Sequence, residues 1–515
     1  MFVRRKPNKS GSVSVHIVRK TGGKYRLVKA VGSSRDPQEV ERLEREASHL
    51  LPELSQQQTF GFLTEADRTV RDFLHGTDNL QVRVIGPERV LGTLFDCMGF
   101  GVMPDALFRH IVIARLAYPV SKLKTVDYLQ RSQGVRVEIS TVYRFLDTLH
   151  SSYKKRVEAV AYAHTKNVCG DAIAVVFYDM TTLYFDTADE DDFRRIGFSK
   201  DGKFQKPQIV LGLLVAPNGF PIGYDIFKGN TYEGHTLIPL LERMRRKYAF
   251  GKPTVVADAG LLSQKNITAL AEKKYRYILG ARIRNESDEG KEQILVCGKD
   301  MRDGSFAVIA KEEGVRLIVT YADKRARKDK RMREKGLKKL RKRVRSGTLT
   351  KESINNRGYN KFLILEGETT VRIDERKVKE DARWDGLKGY LTNTTLMPEK
   401  VVAQYTNLWC IERAFRISKT DLRIRPVFHR KRKRIEAHLC IAFVAYAVYK
   451  ELERQLQLHG AGFSAQRAIE LTQTIYELTG TLPDSRKRES VILGLTDEQR
   501  SLLKIIERLG SRVSQ

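Results

Sequence analysis

The chain has 515 residues, 41% of them hydrophobic, and 93 Lys and Arg against 62 Asp and Glu give a formal net charge of +31. That apolar content excludes general disorder, and a length prior of roughly 150 residues per domain suggests about three domains. The longest apolar run, Leu439 to Tyr449, is shorter than the roughly 20 residues a membrane span needs. The basic start has no apolar stretch behind it, so no secretory signal is read and the protein is expected in the cytoplasm.

Five cysteines are scattered without a C-x-x-C pair, which suggests neither a zinc site nor a disulfide framework. The cationic excess points to nucleic acid, with a merely soluble basic protein as the bland alternative. It is concentrated in three blocks. Residues 1–30 hold nine bases and no acid, 324–345 fourteen bases and two acids, and 413–434 ten bases and one acid. Together they carry +30 of the +31, which marks them as candidate phosphate-contacting surfaces.

In chain order, Val13 to Ile17 and Tyr25 to Val28 alternate around Thr21-Gly22-Gly23 and predict a hairpin. A helix follows at 37–51. From Arg89 to His164 the apolar spacing is helical, with breaks at Pro119 and Gly134. Within it, Ser121–Leu129 and a second helix capped by Ser140 resemble a helix-turn-helix, although bundle packing gives the same pattern. Strands are predicted at Ile173–Tyr178, Thr181–Phe185, Ile209–Val215, Ile222–Phe227 and Thr254–Ala257, with helices at Thr236–Ala249 and Ser263–Lys274.

Shorter strands between about 285 and 398, interrupted by the basic run, read as an inserted, partly β subdomain. Long helices are expected at Glu399–Thr420 and Ile435–Leu458, and a helical tail from Ser464 with a small loop near Leu482-Pro483. The resulting division is 1–85 hairpin and helix, 86–165 helical, 166–284 first part of the core, 285–398 insertion, 399–460 second part of the core, and 461–515 helical C-terminus. Strands mixed with helices give an α/β class.

Asp179 and Asp258 are each predicted to end a strand, where carboxylates can converge on a metal, although Asp at a strand end is also an ordinary turn former. On the helix 399–420, Tyr405, Trp409, Glu412, Arg416 and Lys419 recur at steps of 4, 3, 4 and 3, one stripe of a 3.6-residue helix. An acid beside aromatics and cations suits a nucleic-acid strand lying across it. His235 reads as a loop residue and His438 as core.

Phe177-Tyr178-Asp179-Met180-Thr181-Thr182, Val256-Ala257-Asp258-Ala259-Gly260 and Tyr405-x2-Leu408-x3-Glu412-x6-Lys419 together resemble the DDE transposases of bacterial insertion sequences. More narrowly they are similar to the family with a Tyr-x2-Arg-x3-Glu-x6-Lys signature. Gly229-Asn230-Thr231-x-Glu233-x2-Thr236 and Arg425-Pro426-Val427 extend the likeness over most of the chain. Position 408 is Leu where the signature has Arg; Arg413 or Arg416 would supply that charge.

The resemblance implies an RNase H-like mixed-sheet core, interrupted by a β-rich insertion, in which Asp179, Asp258 and Glu412 hold two Mg²⁺, for which Mn²⁺ can substitute. It implies cleavage at the element's terminal inverted repeats followed by attack of the freed 3′-OH on target DNA. Tyr405, Arg413, Arg416 and Lys419 would contact DNA, and Trp409 is either a base-stacking aromatic or a core residue. Joining two ends implies at least a homodimer in the active complex, on nucleoid DNA of a bacterial cell. A DNA-binding protein descended from a transposase, or a nuclease on the same core, are the alternatives.

Overall fold

The computed structural model describes residues 1–59, 65, 67–68, 70–71, 80–170, 173–248, 251–261, 263–349, 351–355, 357–366, 370–481 and 486–513. It divides into two compact units, Met1–Val82 with Glu477–Leu493, and Arg83–Tyr476 with Gly494–Gln515.

In the first unit, β1 (Phe2–Pro7), β2 (Val13–Thr21) and β3 (Lys24–Ser34) form an antiparallel sheet. The predicted hairpin turns at Gly22 and Gly23, both at positive φ, the conformation a two-residue primed turn demands. The edge strand β1 was not expected. Val15 and Ile17 bury one face of the sheet against Val40, Leu43 and Ala47 of the helix Pro37–Thr59. The tail departs from the predicted all-helical reading: it contains strands Tyr476–Thr481 and Arg488–Ile492. The expected loop at Leu482-Pro483 lies outside the described residues.

In the second unit, helices Ala106–Ala117, Lys122–Gln133 and Ile139–Thr148 cover the expected helical region. Ser121 caps the second of them, but Ser140 is not the cap of the third; that position is Glu138, whose carboxylate accepts a bond from Ser140 Oγ at 3.2 Å. A long buried helix, Arg432–Leu458, contains the apolar run. Among the described residues no helix is long and apolar enough to cross a membrane.

The centre is one mixed sheet. Its strands are β4 (Val175–Tyr184), β5 (Gln208–Val215), β6 (Pro221–Lys228), β7 (Thr254–Ala257), β8 (Tyr277–Ala281), β9 (Phe306–Ala310), β10 (Arg316–Tyr321) and β11 (Leu387–Thr392). Their spatial order is β9-β10-β11-β8-β7-β4-β5-β6. The pairs β4/β7 and β7/β8 are parallel and the others antiparallel. Every residue of β5 is buried, as expected for a strand covered on both faces.

Two expectations change here. Ile173–Tyr178 and Thr181–Phe185 are one strand, so Asp179 lies inside β4; its carboxylate accepts from the adjacent Met180 N–H at 2.7 Å without forming a turn, and it pairs with Leu213 of β5. The 285–398 segment also contributes β9, β10 and β11 to the main sheet. Its basic run forms the helix Asp323–Arg345, which with Leu337, Leu340, Phe362, Leu363 and Val371 has a small core of its own.

Candidate active site

The parallel pairing of β4 with β7 runs from Val175/Thr254 to Tyr178/Ala257. Asp179 and Asp258 are the next residues on each strand, so the two acids stand side by side on chains about 4.8 Å apart. The sequence prediction that two strands deliver these acids to one place is met by register, even though Asp179 is mid-strand.

The predicted helix 399–420 is broken. Pro398–Thr406 and Trp409–Arg416 are separate helices, and Ile417–Asp421 widens into a π turn. At the joint the bonds tighten to an i to i+3 pattern, Cys410 N–H to Asn407 O and Ile411 N–H to Leu408 O, while Leu408 is buried. The helix is therefore not continuous across the five residues, and they differ in burial. Tyr405 is buried, whereas Trp409, Glu412 and Arg416 remain together on the exposed face of the second helix. That helix packs against β4 and β5 with Cys410, Ile411, Ala414 and Phe415 as its buried residues, and Glu412 is close enough to act on the charges of Tyr405 and Lys388.

Tyr405 reaches across β8 to Asp258, donating its hydroxyl to Oδ1 at 2.8 Å. Gly280 makes room: a Cβ there would come within 2.4 Å of the Tyr405 oxygen. Burial raises the Tyr405 phenol well above its usual pKa and the Asp258 charge raises it further, so the hydroxyl stays a donor.

Asp179 is held by Lys200, whose Nζ lies 3.3 Å from Asp179 Oδ1, 2.9 Å from Glu233 Oε1 and 2.8 Å from the Met180 carbonyl. Burial raises the Asp179 pKa, opposed by Lys200 and the Met180 N–H. Burial works against the Lys200 charge, but Asp179 and Glu233 outweigh it and its pKa is raised. Glu233 lies beside the loop after Asp258; a Cβ on Gly260 would be 3.1 Å from its Oε2.

Of the other predicted DNA contacts, Lys419 is paired with Asp201 at 3.2 Å, and Asp201 also takes Arg425. Arg413 is paired with Glu453 on the long helix, whereas Arg416 is exposed. Trp409 is half exposed, so the core reading of its ring does not hold.

Among the described residues no group of three or more His, Cys, Asp or Glu is drawn together tightly enough to hold a metal. The donor chemistry nevertheless fits a hard divalent cation: carboxylates alone, two of them in register on neighbouring strands. The Lys200 ammonium bridges Asp179 and Glu233.

Lys200, Asp201 and Glu233 were not singled out as chemistry in the sequence. Lys200 is set apart by its reach back to Asp179 and Met180 of β4. Lys388 was missed as well. It lies on β11 among Tyr390 and Tyr405, 4.4 Å from the Tyr405 ring centre.

A family model described as the transposase DDE domain matches residues 171–448. No curated protein matches the sequence. Among solved structures, the synaptic complex of piggyBac transposase with hairpin DNA is similar over 83% of this chain and 82% of that one, at 8% identity and a TM-score of 0.38. The match spans the acid-bearing strands, the helix of Glu412 and most of the long buried helix, and on it the chain belongs to the DDE transposase family.

Proposed function

We propose that this chain binds the ends of a bacterial insertion sequence and catalyses metal-dependent DNA cleavage and strand transfer. The observation that carries the reading is the register of Asp179 beside Asp258, with Glu412 on the helix laid over the same strands. Three antiparallel strands, β6, β5 and β4, run on into the parallel β7 and β8, an order that supports an RNase H-like core.

Asp179, Asp258 and Glu412 would hold two Mg²⁺ or Mn²⁺ ions. Once bound, such ions supply activation of the attacking oxygen and stabilisation of the leaving one in an in-line phosphoryl transfer. Tyr405 fixes the orientation of the Asp258 carboxylate. Arg416, Lys419 and the exposed Trp409 face the approaching DNA. Water attacks the phosphodiester at the element's end, and the 3′-OH released then attacks target DNA; two ends joined together require at least a homodimer. Residues 86–165 are the candidate end-reading region.

The test is a cleavage and joining assay with the terminal repeats flanking the gene, comparing wild type with Asp179→Asn, Asp258→Asn and Glu412→Gln. Each variant is expected to bind the ends and neither cut nor join them. Binding without cleavage by the wild type would favour a DNA-binding protein, and cleavage without joining a nuclease.

A further inference from the structure

A cavity of about 630 Å³ in the second unit is bordered by Arg282, Arg284, Arg325, Arg333, Lys361 and Lys388. Most of these cations are neutralised within the protein. Arg284 and Lys361 share Asp381, Arg333 is bound by Asp385, and Arg325 approaches Asp329. Arg282 and Lys388 differ: among the described residues no carboxylate lies within ion-pair distance of either, and Lys388 alone of the two contacts aromatic faces, those of Tyr390 and Tyr405, 5.2 and 4.4 Å from the ring centres.

The fold explains its position. On β11, Lys388 and Tyr390 project from the same face. Tyr390 is opposite Gly280 on β8, and the Tyr405 ring, which crosses at Gly280 to reach Asp258, meets Tyr390 edge-on at 4.9 Å. Lys388 therefore lines the basic cavity and contacts the ring of the tyrosine that bonds Asp258. Burial lowers its pKa, Arg325 adds to this, and Asp258 and Glu412 pull it back, so both acids are close enough to act on its charge.

A half-buried ammonium supported only by aromatic faces recovers part of its hydration loss. A phosphate oxygen entering from the cavity would supply the remainder.

We infer that Lys388 is a positioning residue for the DNA strand undergoing reaction, holding a phosphate at or next to the scissile one while the strand runs out through the basic cavity. This rests on the proposed function and adds a contact outside its signature residues. The strand belongs either to the element's end or to the target; both offer the same phosphate chemistry.

The experiment uses the full chain with Mg²⁺ and compares wild type, Lys388→Met, Lys388→Gln and Lys388→Arg. Nicking of a terminal-repeat duplex reads the element strand, and joining of pre-nicked ends to a plasmid reads the target strand. At saturating DNA the two neutral variants should lose about 30-fold or more in one or both steps, with end affinity within about 3-fold of wild type, because a single charge-assisted contact among many is removed. Lys388→Arg should recover most of the rate, which a packing role for the side chain would not predict.

Loss in nicking alone assigns the element strand, and loss in joining alone the target strand. A competent wild type matched in both steps by either folded neutral variant overturns the role of Lys388. Should neither neutral variant fold, failure of folded Lys388→Arg to retain activity overturns it too. A wild type that neither nicks nor joins overturns the function itself.

Discussion

The Tyr405 hydroxyl donates to Asp258 Oδ1 across a strand that carries glycine where it passes. Hydrogen bonds to charged groups contribute roughly 1.5–3 kcal/mol, and this one also fixes which lone pairs of Asp258 face the site. Tyr405→Phe should therefore lower the cleavage rate by about 10-fold or more while leaving the fold intact. Gly280→Ala provides an independent route to the same defect, since its Cβ would meet the Tyr405 oxygen at 2.4 Å and the Ala259 nitrogen at 3.0 Å. Single-turnover cleavage by the two variants checks this; wild-type rates in both would show that the bond does not organise Asp258.

Lys200 competes with any cation for Asp179. Its ammonium bridges Asp179 and Glu233 and hydrogen-bonds the Met180 carbonyl, so a divalent ion must displace it or share the carboxylate with it. Lys200→Met removes the competitor and is expected to tighten Mn²⁺ binding several-fold, measured by titration calorimetry on the DNA-free protein. Asp179→Asn should abolish the gain. Equal Mn²⁺ affinity in wild type and Lys200→Met would mean that the ion does not use Asp179.

The acids were legible in the sequence because residue type and strand pattern both mark them: Val255-Val256-Ala257-Asp258 announces a buried strand ending in a charge. The fully buried β5 and the long helix were legible for the same reason, a continuous apolar run. The break at Asn407-Leu408 was not, because a spacing of 4, 3, 4 and 3 fits a continuous helix and nothing local marks the tightened turn. Tyr405 was therefore read as a DNA contact, although its hydroxyl is directed to Asp258. Lys200 and Lys388 escaped because their significance lies in long-range approach: one returns from a loop to β4, and the other is carried by a strand of the segment read as an insertion.

Glu451 provides a pH test of the scaffold away from the site. Burial alone would raise its pKa, but hydrogen bonds from His164, Arg454 and Gln455 outweigh this and hold it at about 2, against an ordinary value of 4.5. A carboxylate with a depressed folded-state pKa stabilises the fold above the unfolded value and loses that contribution as pH falls through the folded value. The contribution is full above about pH 5, is lost progressively towards pH 2, and is on the order of 3 kcal/mol at neutral pH. Glu451→Gln should be destabilised at pH 7 by urea denaturation, and the gap to wild type should narrow as pH is lowered from 5 to 3. A gap that stays constant with pH would locate the effect in packing and not in charge.

The basic helix Asp323–Arg345 exposes Arg327, Lys328, Arg331, Lys338 and Lys342, while Leu337 and Leu340 anchor it to its own small core. Among the described residues its ion pairs, Arg325 with Asp329, Arg333 with Asp385 and Arg341 with Glu375, do not use these five cations. Each exposed cation that meets a DNA phosphate releases a counterion, so the logarithm of the binding constant falls with the logarithm of salt by about 0.9 per contact on duplex DNA. Replacing the five with Gln should reduce that slope by several units without moving the Mn²⁺ affinity, because none of them contacts Asp179, Asp258 or Glu412. Binding of a terminal-repeat duplex measured across a salt series decides it: an unchanged slope would remove this helix from the DNA-binding surface and leave the segments 1–30 and 413–434 to carry it.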